Sequence, residues 1–256
     1  MCTPSFLTPL PDQSSQNRYI NAIFKHKDPL GDAHSLWWPS YSPKAVVLFI
    51  PGNPGLVEFY IPFLSALYTA KSQEIAILAH AHINHTPGIV SPAAEHTLTI
   101  QVQAALEAFD ALNISYPPVP ITIIGHSVVP SVIVDTLFRH WPQPQIAVLC
   151  KLLYSPSSIF ACLSMAHDEM NNILALDTQL LKDYHHLMHM FFVEGDEWVG
   201  TEEGAIIRLF QSDPGSLKIV RRTDDIPHAF CIKHGDEVAK QCADWLVLRD
   251  ETLDQA

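Results

Sequence analysis

The sequence is short of charge, of basic residues above all, and of any cysteine pattern, and each shortage excludes something. Charged residues make up 16% of the 256 positions, so the chain is neither a disordered tail nor a polyelectrolyte. Lys and Arg total 15 against 27 Asp and Glu, a net charge of −12. A chain this acidic lacks the basic patches that displace counterions from phosphates, so no nucleic-acid partner is expected. Charge alone would not hold it on anionic lipid either. An apolar hold on a neutral lipid surface stays open. The five cysteines (Cys2, Cys150, Cys162, Cys231, Cys242) are odd in number and form no C-x-x-C pair. That pattern predicts reduced thiols in an intracellular, cytoplasmic setting rather than a disulfide framework. The first residues, MCTPSFLTPLPDQSSQNR, have no basic start and no apolar stretch, and are not expected to be a secretory signal. No apolar run approaches the roughly 18 residues of a membrane span, so any membrane or droplet contact is expected to be peripheral. No internal repeat is visible.

What is present is a core. Hydrophobic residues make up 48% of the chain, enough for one domain of this length. Residues 1–17 are rich in Pro, Ser and Gln and read as a loose arm, with a single domain over 18–256. Short β-type runs then alternate with helical ones. Strands are expected at Arg18–Phe24, His34–Trp38, Ala45–Ile50, Ile75–Leu78, Ile121–Ile124, Ile146–Tyr154, Met190–Val193 and Leu217–Val220. Helices are expected around Phe59–Leu67, from Ser91 or Pro92 to Leu112, from Ser127 to Arg139, over Glu202–Phe210 and over Gly235–Leu248. In the second helix Leu98, Val102, Ala105, Leu106 and Phe109 share the face expected to be buried. Residues 155–187 are least regular, with helices near Leu163–Met170 and Ile173–His186. Strands alternating with crossover helices predict an α/β fold, its central sheet mainly parallel and covered on both faces. Reactive groups in such sheets gather at the carboxyl ends of the strands.

Three segments at such ends carry chemistry. In ITIIGHSVV, Ser127 follows a buried strand and opens a helix, the setting of a nucleophile elbow. The helix N-terminus offers amides and the positive end of its dipole to a developing oxyanion. Helix capping is the plainer role for the same serine. Val129 stands where the G-x-S-x-G pattern has its last glycine, and crowds the turn. His126 is expected to pack or to hydrogen-bond. A serine needs a base, and His228 in DDIPHAF lies in the loop before the last helix, with His234 its rival at the start of that helix. Asp196, in FFVEGDEW after a strand, is the candidate to orient the imidazole, with Glu194, Glu197, Asp224 and Asp225 as rivals. The turn Pro51–Gly55 is placed to supply an oxyanion amide from Asn53, paired with the amide of Val128.

The stretch FIPGNPGLVEFYIPFLSALY, Phe49–Tyr68, resembles the signature of the lipid-droplet-associated hydrolase family, within the serine α/β-hydrolases. GHS at 125–127, GDEW at 195–198 and IPHAF at 226–230 fall in the family's order, so the resemblance spans about residues 45–245. It implies an α/β-hydrolase fold, with Ser127 as nucleophile, Asp196 as acid and His228 as base. It implies cleavage of carboxylic esters, with neutral lipid or sterol esters as the substrate class, no cofactor or metal, and contact with a lipid droplet surface. Two departures stand out. Val129 replaces the usual glycine, and the cap segment at about 155–189 is shorter than in relatives. A reduced cap suits a more open pocket and a soluble acyl substrate.

Two other readings follow. A thioesterase or acyltransferase would use the same residues on a carrier-bound or specialised-metabolite acyl group. A non-catalytic ligand-binding protein of the same fold would explain Val129. His80-Ala-His82-x-x-His85 reads as a loop at a pocket rim, with a metal trio as its alternative. His185, His186 and His189 read as residues near a helix end. Trp37, Trp38 and Trp198 read as packing groups.

Overall fold

A computed structural model describes residues 3–11, 17–89, 91, 95–126, 141–196, 198–199, 202–210, 218–223 and 226–248. The chain forms two compact units, residues 1–169 with 231–256 and residues 170–230.

The larger unit is built on a six-stranded sheet, in the order β1-β2-β3-β5-β4-β6. Its strands are β1 (Leu7–Pro9), β2 (Ile20–Lys25), β3 (Asp32–Trp38), β4 (Ala45–Ile50), β5 (Ile75–His80) and β6 (Ile121–Gly125). β4 lies between β5 and β6 and is parallel to both. β1, β2 and β3 extend the sheet in antiparallel pairs. β4 reads AVVLFI with no alternation because both of its faces are covered. Val46 and Leu48 pack with Ala108 and Leu112 of α2 (Leu98–Ser115). On the other face Phe49 meets Phe63 of α1 (Ile61–Ala70), ring centroids 5.7 Å apart. The last helix, α7 (Gly235–Trp245), packs along α1. A Cβ on Gly235 would come within 3.1 Å of the Phe63 backbone, so glycine permits the close approach. Trp37 and Trp38 are both fully buried, as packing groups on an interior strand.

Several expectations are corrected. The segment Ile146–Tyr154 is not a strand but lies in α3 (Gln143–Leu153) and its cap. Gln145, Val148 and Leu152 form its buried face, a helical spacing, and Gln145 Nε2 donates to the carbonyls of Phe59 (3.0 Å) and Cys231 (3.1 Å). A short apolar run does not by itself separate helix from buried strand. Within the arm, residues 7–9 pair with β2 as β1, because Leu7 has an apolar cluster to join. The cap segment opens with α4 (Pro156–Asn172). The predicted helix from Ser127 to Arg139 lies outside the described residues.

The face of α2 is also rotated from expectation. Gln101, Ala104, Ala108 and Leu112 are buried, while Val102 and Leu106 are exposed. Two alanines let the helix approach the sheet closely. Gln101 enters the core because its amide satisfies both backbone groups of Ile83, accepting from the N–H at 2.8 Å and donating to the carbonyl at 3.3 Å. Thr97 accepts from the Ile100 amide, and Asp168 of α4 accepts from the Leu98 amide at 2.7 Å, so two of the orphan donors at the start of the helix are met.

The smaller unit holds a parallel pair, β7 (His189–Val193) and β8 (Lys218–Arg222), with α5 (Thr178–Tyr184) and α6 (Glu202–Leu209). Its own core is Leu181, Ile206 and Phe210, joined by Met190, Phe192 and Ile219.

The rotated face of α2 sets a test. Gln101→Ala strands two buried backbone groups of Ile83 and is expected to cost about 2 kcal/mol or more. Val102→Ala, on the exposed face, should change stability by less than about 0.5 kcal/mol. Urea unfolding of both variants checks this, and the reverse ranking would contradict the observed face.

Candidate active site

In the smaller unit, β7 ends at Val193 and the chain turns through Glu194 and Gly195. Gly195 has φ +82°, a left-handed conformation that glycine adopts without strain. The turn closes with the Asp196 amide donating to the Val193 carbonyl at 3.2 Å. Both carboxylate oxygens of Asp196 are then engaged. Oδ1 accepts from the Trp198 amide at 3.0 Å, and Oδ2 lies 2.8 Å from Nδ1 of His228. The pair is largely shielded, with side-chain exposures of 10% for Asp196 and 19% for His228. His228 sits after β8 and before a 3₁₀ turn at Phe230–Ile232. A carboxylate on Nδ1 selects the tautomer with the proton on Nδ1 and leaves the lone pair on Nε2, the form a general base requires. Among the rivals, Glu194 lies 3.6 Å from Arg221, and His234 is the N-cap of α7, 3.9 Å from Glu237. Glu197, Asp224 and Asp225 lie outside the described residues.

In the larger unit, the carboxyl ends of β4 and β6 are in register, Ile50 opposite Gly125. The His126 amide continues the ladder by donating to the Ile50 carbonyl at 3.1 Å. This sets the Pro51–Gly55 turn beside His126, directly before Ser127. Ser127 and Val128 themselves lie outside the described residues. The turn is tied down residue by residue. Gly52 donates to the Tyr60 hydroxyl at 3.2 Å, and that hydroxyl shares a 2.8 Å hydrogen bond with Nδ1 of His126. Asn53 is buried, and its Nδ2 donates to the Cys162 carbonyl of α4 at 2.9 Å. The Pro54 carbonyl accepts from Nδ1 of His85 at 2.8 Å. Gly55 has φ +77°, and a Cβ there would fall 2.5 Å from His82 Cδ2, so no other residue fits.

Of the three histidines of the H-x-H-x-x-H segment, one pairs with a histidine distant along the chain and two pack against each other. His80 Nε2 lies 2.9 Å from His26 Nε2, whose other nitrogen is 2.9 Å from Glu107. His82 meets His85 edge-on, ring centroids 5.2 Å apart. Among the described residues no group of three metal-binding side chains is arranged to hold an ion.

A family model described as lipid-droplet associated hydrolase matches residues 43–134 and 128–231. The chain belongs to the lipid-droplet-associated hydrolase family. The mouse lipid droplet-associated hydrolase is 45% identical over 47 residues, which are 18% of this chain and 14% of that protein's length. Among solved structures, a putative α/β hydrolase from Agrobacterium tumefaciens has a TM-score of 0.53 at 14% identity, covering 91% of this chain and 96% of that one. A carboxyl esterase from Bacillus coagulans has a TM-score of 0.57 at 9% identity, covering 90% of this chain and 98% of that one. These likenesses establish the α/β-hydrolase fold.

For this member of the lipid-droplet-associated hydrolase family, reading the sequence brought Asp196 and His228 forward but missed Tyr60. The pairing of His26 with His80 was also missed, because residues from distant strands carry no local mark.

Buried histidines give the site a pH signature. Burial pushes His80 down to about 3, with the nearby His26 adding to the shift, and pushes His85 down to about 4, from the ordinary 6.5. Below pH 6.5 the unfolded chain takes up protons that the folded chain refuses. Their contribution is complete above 6.5 and is lost as pH falls, toward about 4 for His85 and about 3 for His80. Each group adds a slope of up to about 1.4 kcal/mol per pH unit. His85→Asn, which keeps a donor for Pro54, should flatten the pH dependence of the urea midpoint between 6.5 and 4. An unchanged slope would contradict the buried, neutral state of His85.

Proposed function

We propose that this chain is a serine hydrolase that cleaves carboxylic esters of hydrophobic acyl groups. The observation that carries the reading is the 2.8 Å pairing of Asp196 with Nδ1 of His228, on loops that follow two parallel strands. In the proposed reaction Ser127 Oγ attacks the acyl carbon while Nε2 of His228 takes its proton. The carbonyl oxygen becomes an oxyanion held by the amides of Asn53 and Val128. The intermediate collapses as His228 returns the proton to the leaving alcohol, giving an acyl-enzyme. Water, activated by His228, then releases the acid and restores the serine. Asp196 keeps the imidazole in the required tautomer and stabilises the imidazolium.

A hydrophobic ester is the favoured substrate class because of the family, whose named relatives associate with lipid droplets. Among the described residues no single helix is long and apolar enough to cross a membrane, and contact with a droplet surface is read as peripheral.

A fluorophosphonate probe and a series of p-nitrophenyl esters test this reading. Wild-type protein should be labelled once, Ser127→Ala should not be labelled, and His228→Ala should lose turnover. Asp196→Asn should lower kcat by about 10³- to 10⁴-fold, because the amide favours the wrong tautomer. Equal labelling of wild type and Ser127→Ala, or wild-type turnover in Asp196→Asn, would contradict the reading. Ligand affinity without any turnover would make the chain a binding protein on the same fold.

A further inference from the structure

Tyr60 stands between the two segments that would supply the oxyanion amides. It belongs to a 3₁₀ turn, Val57–Tyr60, that leads into α1. Its ring is wedged against Phe49 of β4, centroids 4.7 Å apart, and against the His126 imidazole at 5.7 Å. Its hydroxyl accepts from the Gly52 amide at 3.2 Å and shares a 2.8 Å hydrogen bond with Nδ1 of His126, and the Cys231 thiol is a third hydrogen-bond neighbour. Gly52 immediately precedes Asn53, and His126 immediately precedes Ser127, so one oxygen ties the residue before each. In the His126 tautomer with its proton on Nε2, the hydroxyl accepts from the Gly52 N–H and donates to the Nδ1 lone pair. Burial holds the phenol neutral, its pKa well above 10, and pushes the neighbouring Cys231 thiol up to about 12.

We propose that Tyr60 is a positioning residue that locks the Pro51–Gly55 turn to His126, the residue before the nucleophile, and so fixes the spacing of the two oxyanion amides. This rests on the reading of Ser127 as nucleophile given above. A tetrahedral intermediate needs both amides aimed at one oxygen, and the donors must be in place before charge develops. The backbone ladder ends with the His126 amide on the Ile50 carbonyl, and past that bond the two segments need a second tie to keep a fixed spacing. The Tyr60 hydroxyl provides one, and a phenylalanine would keep the packing against Phe49 while losing the hydroxyl's hydrogen bonds.

The test is steady-state ester hydrolysis, with kcat expressed per Ser127 titrated by fluorophosphonate so that misfolded protein does not count. A trifluoromethyl ketone, which takes up the Ser127 oxygen as a tetrahedral adduct, reports on the oxyanion site separately. Tyr60→Phe is expected to lower kcat about 10- to 100-fold, to leave KM within about threefold, and to weaken the ketone in step with kcat. His126→Leu should act in the same way, and His126→Asn, which keeps a polar atom near the Nδ1 position, should act less. The double variant Tyr60→Phe/His126→Leu should be little worse than the worse single variant, because either change severs the same link between Gly52 and His126. Wild-type kcat in Tyr60→Phe, a loss confined to KM, or additive losses in the double variant would overturn the proposal while leaving the serine mechanism standing. Wild-type protein without Ser127-dependent turnover would overturn both.

Discussion

The parallel register of β4 against β5 and β6 is the constraint on which the larger unit depends. Each hydrogen-bonded pair fixes the next, so once Val46 lies opposite Ile121, Ile50 must lie opposite Gly125. A slip of one residue would turn every side chain of β4 to the other face and break both halves of its packing. The register therefore delivers the Pro51–Gly55 turn and His126, the residue before Ser127, to the same edge. Everything proposed for the oxyanion site uses that delivery. The bonds from Tyr60, His85 and the Asn53 side chain refine the turn's shape, but the strands decide where it is.

The smaller unit shows a parallel arrangement used for another purpose. β7 and β8 run side by side, and the loops after them bring Asp196 to His228. The carboxylate is fixed from both ends, by a backbone amide and by the imidazole. A fixed carboxylate restricts the ring's rotation and tautomer together, which a carboxylate free to rotate would not. Gly195 makes this geometry accessible, since its left-handed backbone turns the chain within two residues of the strand end.

Much of this was legible before the structure. β4 announced itself as an unbroken apolar run ended by Pro-Gly, and the position of DDIPHAF before the last helix brought His228 forward, with His234 as its rival. Asp196 was harder, because five acids compete near the ends of β7 and β8 in the sequence; its 2.8 Å contact with Nδ1 of His228 depends on two loops far apart along the chain. The α2 face misled for a physical reason. Val102 and Leu106 are more hydrophobic than Gln101 and Ala104, yet close packing favours the alanines, and an amide that satisfies Ile83 outweighs the apolar alternative. Ile146–Tyr154 misled because a short apolar stretch suits either a buried strand or a helix. The partners of Tyr60 and the His26–His80 pair depend on contacts distant along the chain, which periodicity does not encode.

The most direct test of the central claim is a crystal structure of the protein reacted with a fluorophosphonate. The account predicts phosphorus bonded to Ser127 Oγ, Nε2 of His228 within hydrogen-bond reach of the adduct, and a phosphoryl oxygen accepting from the amides of Asn53 and Val128. Phosphorus on another residue, or an adduct on Ser127 with His228 remote from it and bonded elsewhere, would contradict the account.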